Sequence, residues 1–200
     1  MKIAITGTSS GLGQALMHAL KPHSVIPLTR SDLDLSDIGA VNAFALPPCD
    51  ILINCAGTGL GGKRPFLDHS ASAVQTILNV NLIAPIMLSQ KALRNNADCK
   101  IVNITSTNNR RYWPNDLAYS LSKSALSEFG NMLRVDYPDC QLLEVRLGLT
   151  KTQFNHNRYQ DDPDRYQDIY QQPHLMPVLA AQRIVNVLFD ETVKFLEIAP

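Results

Sequence analysis

A serine, a tyrosine and a lysine in the second half of the chain have the types and spacing needed for proton transfer at a carbonyl oxygen. Tyr119 and Lys123 are four residues apart, which places them on one face of a helix. Ser106 follows the apolar run 101–105, a pattern typical of a buried strand. A phenol with a pKa near about 10 becomes a better proton carrier when a neighbouring ammonium favours the phenolate. Such a site needs a separate hydride carrier.

A tyrosine and a lysine at this spacing are more often a core or surface tyrosine and a solvated lysine. Other parts of the sequence are therefore needed to distinguish a catalytic pair from this alternative. Residues 2–6 predict a strand, the run 7–13 is rich in glycine, and residues 14–20 predict a helix. This order places a phosphate at a helix N-terminus. The spacing is GxxxGxG rather than GxGxxG. We predict a nucleotide site here, with a simple turn as the alternative.

The end of the second predicted strand, 24–28, bears on cofactor choice. It is followed by Thr29 and Arg30, where NAD sites commonly carry an acid and NADP sites a cation. Because Arg30 is a planar donor suited to phosphate, we predict NADP(H) in preference to NAD(H); the alternative is a solvated surface arginine. Asp34 and Leu35 are expected to flank the adenine, and Asp37 to cap a helix over 38–45.

The remaining elements alternate along the chain. We predict strands over 50–57, 101–105, 141–147 and 193–198, and helices over 70–94, 116–136 and 177–189. Pro85 should bend or break the first of these helices. Alternating strands and helices predict an α/β fold with a doubly wound parallel sheet, and 200 residues suit a single domain, 1–200.

Composition excludes several classes of function. Eighteen basic and eighteen acidic residues balance, which argues against nucleic acid as a partner. The four cysteines have no metal-site spacing, so we expect no metal and reduced thiols in a cytoplasmic protein. We also expect no signal peptide and, because no apolar stretch approaches roughly 20 residues, no membrane span.

Taken together, these motifs resemble the short-chain dehydrogenase/reductase family in its shorter form, over nearly the whole chain. Residues 6–13 match its TGxxxGxG loop, 54–57 its NNAG strand end with Cys55 in place of the second Asn, and 147–152 its PGxVxT segment with Leu147 in place of Pro. The resemblance implies a Rossmann-type fold with helices on both faces of the sheet.

The resemblance also implies roles for individual residues. Tyr119 would be the general acid in reduction and the base in oxidation, Lys123 would lower its pKa and bind the nicotinamide ribose, and Ser106 would polarise the carbonyl. Asn81 would hold a water that links Lys123 to solvent. The residues expected to bind the cofactor are Gly7, Ser9, Ser10, Gly11, Leu12, Gly13, Arg30, Asp34, Leu35, Asn54, Ala56, Gly57, Thr105, Tyr119, Lys123, Gly148, Thr150 and Thr152.

The chain departs from the family pattern after the second strand. Only three residues separate Arg30 from Asp34, too few for the family's usual helix, so we expect the sheet to be shortened here, with a third strand of only 32–35. Helices 70–94 and 117–136 correspond to those that pair subunits in the family. They predict a homodimer, with a tetramer as the alternative.

The substrate is the least determined feature. The polar segment 153–172, within a predicted substrate-binding loop over 153–175, favours a small or polar carbonyl or alcohol, and the segment 108–113 is expected to line the same pocket. The composition of both segments is equally compatible with solvated surface loops. Two other functions compete with an NADP(H)-dependent oxidoreductase: a cofactor-sensing regulator that binds NADP(H) without turnover, and a nucleotide-sugar reductase or epimerase.

Overall fold

A parallel β-sheet forms the centre of the computed structural model, which describes residues 1–109, 113–160 and 162–200, without the side chain of Asn109. Six strands occur in these ranges, in the order β2-β1-β3-β4-β5-β6. They are β1 (Lys2–Thr6), β2 (Ser24–Leu28), β3 (Ile51–Asn54), β4 (Lys100–Ser106), β5 (Leu142–Leu147) and β6 (Phe195–Ile198). Every neighbouring pair is parallel. The predicted doubly wound parallel sheet is therefore confirmed.

Helices cover both faces of this sheet. The α-helices are α1 (Gly11–Ala19), α2 (Ile38–Ala43), α3 (Ala71–Leu78), α4 (Ala84–Asn95), α5 (Leu117–Asp136), α6 (Gln153–Arg158), α7 (Pro163–Ile169) and α8 (Pro177–Leu188). Helices α1 and α8 contribute to one apolar core cluster. Helices α2, α4 and α5 contribute to a second cluster. The strand order reverses between β1 and β3, which is where open sheets of this kind form a ligand crevice.

The strand sequences account for their positions in the sheet. All four residues of β3 are buried, as expected for a central strand covered on both faces. Pro27 lies in β2 and pairs with Ile5. A proline has no N–H to donate, and it is tolerated here because β2 is the edge strand.

The prediction of a short third strand at 32–35 is wrong. The carboxylate of Asp32 accepts hydrogen bonds from the backbone N–H and the hydroxyl of Thr29, at 2.8 and 2.6 Å. The N–H of Leu33 also donates to the Thr29 carbonyl. These bonds close a turn, so the backbone cannot pair with the sheet, and β1 is bordered by β2 and β3.

The predicted helix over 70–94 is continuous but changes pitch. Between α3 and α4, residues Asn79–Ile83 form a π-helical turn, and Pro85 occupies the first turn of α4. A proline cannot donate to the preceding turn, so the helix changes pitch beside Pro85 but does not break. Asn81 lies within the π-helical turn, a geometry frequent at functional sites.

This stretch also corrects one expectation about membranes. The helical segment Ala71–Asn95 is long and apolar enough to cross a membrane by length and composition, with a mean hydropathy of 1.5. Its inner face carries Ile77, Val80 and Leu88, which are buried. Packing against the rest of the protein therefore accounts for the apolar residues of that face.

The polar segment after β5, which we predicted to be a loop, is partly helical. It contains the short helices α6 and α7, the second of which is capped by Asp162, whose carboxylate accepts from the N–H of Arg165 at 3.1 Å. Four residues of the two segments expected to line the substrate pocket, Arg110, Arg111, Tyr112 and Asp161, lie outside the described residues.

Candidate active site

A cavity of about 900 Å³ lies at the carboxyl ends of the strands. Most of the predicted site residues line it. They are Gly7, Ser9, Ser10, Gly11, Leu12, Gly13, Arg30, Asp34, Leu35, Ala56, Gly57, Thr105, Ser106, Tyr119, Lys123, Gly148, Thr150 and Thr152. The structure thus brings together side chains from distant parts of the sequence. Asn54 and Asn81 are the two predicted residues that do not line the cavity.

Ser106 and Tyr119 meet at one end of this cavity. Ser106 is the last residue of β4, and Tyr119 lies in the first turn of α5. The Ser106 hydroxyl is close enough to the Tyr119 phenol to lower its pKa. Ser106 Oγ also accepts a bond from the N–H of Asn108 at 3.2 Å. Two hydroxyl groups thus lie side by side at a strand end, the arrangement needed to hold one carbonyl oxygen.

The environment of Tyr119 raises the pKa of its phenol above the ordinary value. Burial is the main cause, because it disfavours the phenolate. The Arg158 guanidinium and the nearby Ser106 hydroxyl lower this pKa, while the Asp116 carboxylate raises it. The lowering of this pKa by Lys123 remains a prediction; the cation that lowers it in this arrangement is Arg158, whose central carbon is 4.8 Å from the centre of the tyrosine ring.

Lys123 is largely buried and lines the cavity. Its ammonium donates a hydrogen bond to the carbonyl of Ile104 in β4 at 2.9 Å. Burial lowers the pKa of this ammonium to about 8. Gly57 lies next to it: a Cβ built on Gly57 would be 3.6 Å from Lys123 Nζ. The lysine therefore keeps a proton at neutral pH and loses it within the mildly alkaline range.

Asn81 is fully buried and also borders Gly57, where a built Cβ would be 3.5 Å from Asn81 Oδ1. Its Oδ1 accepts from the N–H of Thr58 at 2.8 Å, and its Nδ2 donates to the Thr58 carbonyl and to Ser122 Oγ, at 2.9 and 3.0 Å. The side chain thus ties the π-helical turn to the loop after β3 and to α5. These bonds use both amide N–H groups of Asn81. The role of Asn81 in holding a water remains a prediction.

The glycine-rich loop has the shape of a phosphate cradle. Gly7 has φ +74° and Gly11 has φ +56°, a region that glycine adopts without strain. A Cβ on Gly13 would lie 2.2 Å from the Gly7 carbonyl oxygen, so only glycine fits there. The Ser10 side chain makes no capping bond to α1, whose first turn has no acidic residue. The free N–H groups of this turn fit a pyrophosphate.

The opposite end of the cavity is lined by Arg30, Asp34 and Leu35. Arg30 is exposed. Asp34 Oδ1 accepts from both the N–H and the hydroxyl of Ser36, at 2.9 and 2.7 Å, and these bonds lower the pKa of its carboxyl. The carboxylate is therefore held in one orientation and ionised at neutral pH, which suits a role as hydrogen-bond acceptor for a nucleoside.

Two residues predicted to contact the cofactor have side chains that are engaged within the protein. Asn54 is buried between β3, β4 and α4, where its Nδ2 donates to Asn103 Oδ1 at 2.9 Å and Ser89 Oγ at 3.1 Å; its side chain therefore links strands to a helix. Thr105 lines the cavity, but its hydroxyl donates to Glu144 Oε1 at 2.8 Å. Sequence alone did not reveal that these polar groups are engaged within the sheet layer.

Sequence reasoning missed the importance of Asp116, Lys63 and Arg158 at the wall beside Tyr119. Asp116 precedes α5 and is buried; it forms an ion pair with Arg158 and also accepts from Asn108 Nδ2 at 2.8 Å. Lys63 Nζ is 4.0 Å from the same carboxylate. The sequence analysis included Arg158 only as part of the polar segment 153–172. Its buried position depends on the fold of α6, and no spacing rule predicted it.

Comparisons with known proteins agree with this geometry. A family model described as short chain dehydrogenase matches residues 33–163. An NADP-dependent 3-hydroxy acid dehydrogenase from Schizosaccharomyces pombe is 28% identical over 193 residues, covering 86% of this chain and 72% of that protein. L-xylulose reductase from Mus musculus is 29% identical, covering 66% and 64% of the two chains.

Other matches differ in coverage and in the cofactor bound. The chain spans 46% of dehydrogenase/reductase SDR family member 7B from Xenopus laevis, to which it is 32% identical over 73% of its own length. A serine dehydrogenase structure with NADP+ has a TM-score of 0.84 at 21% identity, covering 99% of this chain and 94% of that one. A 4-hydroxyisoleucine dehydrogenase with NADH has a TM-score of 0.79 at 21% identity, covering 99% and 96%.

Proposed function

The chain belongs to the short chain dehydrogenase family of oxidoreductase enzymes, and on that premise we propose that it transfers a hydride between NADP(H) and a small or polar carbonyl or alcohol. One observation carries this proposal. The neighbouring side chains of Ser106 and Tyr119 line the same cavity as the glycine-rich loop. A dinucleotide that extends from the loop along the cavity would bring its nicotinamide to this pair.

In the proposed mechanism the protein holds the substrate and moves one proton. A bound nicotinamide supplies the hydride in reduction and accepts it in oxidation. Ser106 holds the carbonyl oxygen, and Tyr119 donates its proton to that oxygen as the hydride reaches the carbonyl carbon. Lys123 holds the nicotinamide ribose, and its charge stabilises the phenolate that Tyr119 leaves behind. In oxidation Tyr119 takes the proton back.

The proposed preference for NADP(H) rests on the residues after β2. Arg30 lines the cavity there, and arginine binds phosphate well because its planar group presents several donors. Asp32 lies two residues on, but its carboxylate is occupied by the N–H and hydroxyl of Thr29. That pairing supports the proposal, because it leaves Arg30 without a bond to this acid.

The proposal of a small or polar substrate draws on the wall beside Tyr119. Segment 153–175, which contains α6 and α7, supplies Arg158 and Arg165 to the cavity lining, and we propose it as the substrate-binding segment. The names of two relatives refer to a 3-hydroxy acid and to xylulose. Both compounds are small and polar, which is consistent with this choice.

We propose further that the chain forms a homodimer in the cytoplasm. Leu117, Leu121, Met132 and Val135 of α5 are each about half exposed or more, and a second copy would cover them. A solution mass equal to one chain of 22.1 kDa would contradict the dimer.

The four cysteines are free thiols, as in reducing compartments; cell fractionation tests the location.

Replacing Tyr119 with phenylalanine removes the proton donor and keeps the ring. We expect turnover of carbonyl substrates by NADPH to fall by at least roughly 100-fold, the usual contribution of a general acid, while the Kd for NADPH changes little. The measurement follows NADPH absorbance over a panel of aldehydes, ketones, quinones and keto-sugars. Retained turnover in the variant would contradict the role of Tyr119. No turnover in the parent, with tight NADPH binding, would favour the sensor function.

The pH dependence of reduction follows from Lys123. Its ammonium is charged below its pKa of about 8 and neutral above it, whereas the pKa of Tyr119 is raised, so the phenol keeps its proton over this range. We expect kcat/KM for reduction to be level near neutrality and to fall above about pH 8. A profile that stays level well into the alkaline range would show that the charge of Lys123 is not needed.

Replacing Arg30 with glutamine tests cofactor preference. We expect the Kd for NADPH to rise roughly 10-fold, the scale of one charge-assisted hydrogen bond, and the Kd for NADH to stay the same. Arg94→Gln, at an exposed position on α4 away from the cavity lining, is the matched control. Titration of intrinsic fluorescence gives both constants. Tighter binding of NADH than NADPH by the parent would contradict the preference itself.

A further inference from the structure

The wall beside Tyr119 carries charge that proton and hydride transfer do not require. Arg158, at the end of α6, is only 7% exposed, and its guanidinium covers one face of the Tyr119 ring. Lys63 lies on the loop before α3 and packs over the Trp113 ring, with 4.9 Å from Nζ to the ring centre. Both cations line the cavity and come from segments far apart in sequence.

Positive charge exceeds negative charge at this wall. Among the described residues, Lys63, Arg158 and Arg165 line the cavity here, and the two carboxylates that line it elsewhere are Asp34 and Glu197. Asp34 lies at the opposite, adenosine end, and Glu197 is paired with Arg146 in the sheet. The buried Asp116 contacts both Lys63 and Arg158. The single carboxylate of Asp116 is thus the ion-pair partner of two largely buried cations.

The cations have unused capacity to bind an anion. Within the described ranges, Arg158 Nε is buried and has no hydrogen-bond partner, and a buried donor without a partner is costly. Lys63 shares Asp116 at the long distance of 4.0 Å, and burial lowers the pKa of its ammonium, with the charges of Arg158 and Arg165 acting in the same direction. An anion bound here would relieve both costs, since arginine and lysine both pair well with carboxylates.

The surroundings limit the size of that anion. Phe154 and Tyr159 border the guanidinium, with ring centres 5.9 and 5.6 Å from its central carbon. A Cβ on Gly59 would lie 3.0 Å from Arg158 Cδ, so the loop packs closely against the arginine. Since the same guanidinium lies over the Tyr119 ring, an anionic group held at this wall is only a few bonds from a carbonyl held at Ser106 and Tyr119.

We propose that Lys63 and Arg158, with Arg165 at the rim, bind a carboxylate of the substrate, so that this enzyme acts on short oxo acids and the corresponding hydroxy acids rather than on neutral carbonyl compounds such as ketoses. This inference rests on the proposed carbonyl reduction at Tyr119. It narrows the substrate class to compounds that carry a negative charge close to the reacting carbon.

The test compares acids with neutral partners of nearly the same shape. Acetoacetate and 4-oxobutanoate are assayed with NADPH beside their methyl esters, and xylulose is included as a neutral ketose. The parent is expected to reduce the acids with kcat/KM at least roughly 10-fold above that of the esters. Lys63→Gln should lower kcat/KM for the acids by roughly 10-fold or more, leave the esters within about twofold and leave the Kd for NADPH unchanged.

Two further variants separate this role from others. Arg183→Gln, an exposed position on α8, is the matched charge control and should change neither class of substrate. Arg158→Lys keeps a cation beside Asp116, which protects the fold, but removes the planar donor set; it should raise KM for the acids more than it lowers kcat. Equal losses on acids and esters, with a shifted pH profile, would mean that Arg158 acts only on Tyr119, and would overturn the proposal.

A binding measurement that does not depend on turnover distinguishes failure of this inference from failure of the proposed function. If no member of the panel is reduced, the proposed function fails, and the wall is then judged by calorimetry of malonate and malonamide in the presence of NADPH. Malonate binding that is lost in Lys63→Gln, with no binding of malonamide, supports the anion site. Equal binding of malonate by parent and variant, or no malonate binding, overturns it. Equal kcat/KM for acids and esters in the parent overturns it as well.

Discussion

The hydrogen bond from Lys123 Nζ to the Ile104 carbonyl joins α5 to β4 at the centre of the site. An ammonium buried in protein is costly unless it is hydrogen-bonded, so this contact fixes where the helix lies along the strand. Ser106 is two residues beyond Ile104, and Tyr119 is one helical turn before Lys123. Their meeting therefore follows from this one contact, and so does the opening of the phenol toward the cavity.

The π-helical turn supports the same centre from the other side. Its wider pitch carries Asn81 into the interior, where the amide connects the loop after β3 with Ser122 on α5. Lys123 and Asn81 both border Gly57, whose missing side chain leaves room for them. A side chain of ordinary size at Gly57 would meet both polar groups, so the strand end, the π-helical turn and α5 depend on one another.

The positive potential has a different source at each end of the cavity. At the glycine-rich loop, backbone N–H groups supply a weak positive potential suited to phosphates. Beside Tyr119, full charges of Lys63 and Arg158 dominate, and the buried Asp116 balances only part of them. Burial raises the pKa of Tyr119, and Arg158 opposes that effect. The cation that lowers the pKa of the phenol most is thus Arg158, which comes from the segment after β5.

The sequence by itself determined the alternation of strands and helices, the glycine-rich turn, and the pairing of Tyr119 with Lys123 through helical spacing, because periodicity and glycine requirements are local properties. It also indicated Ser106 at a strand end. It could not show that 32–35 closes a turn through Asp32, that Asn54 is engaged with Asn103 inside the sheet, or that α6 brings Arg158 against Tyr119. The contacts of Asn54 and Arg158 join residues that are 49 and 39 positions apart in the chain. Only tertiary structure decides them, because each polar group takes the partner that packing leaves within reach.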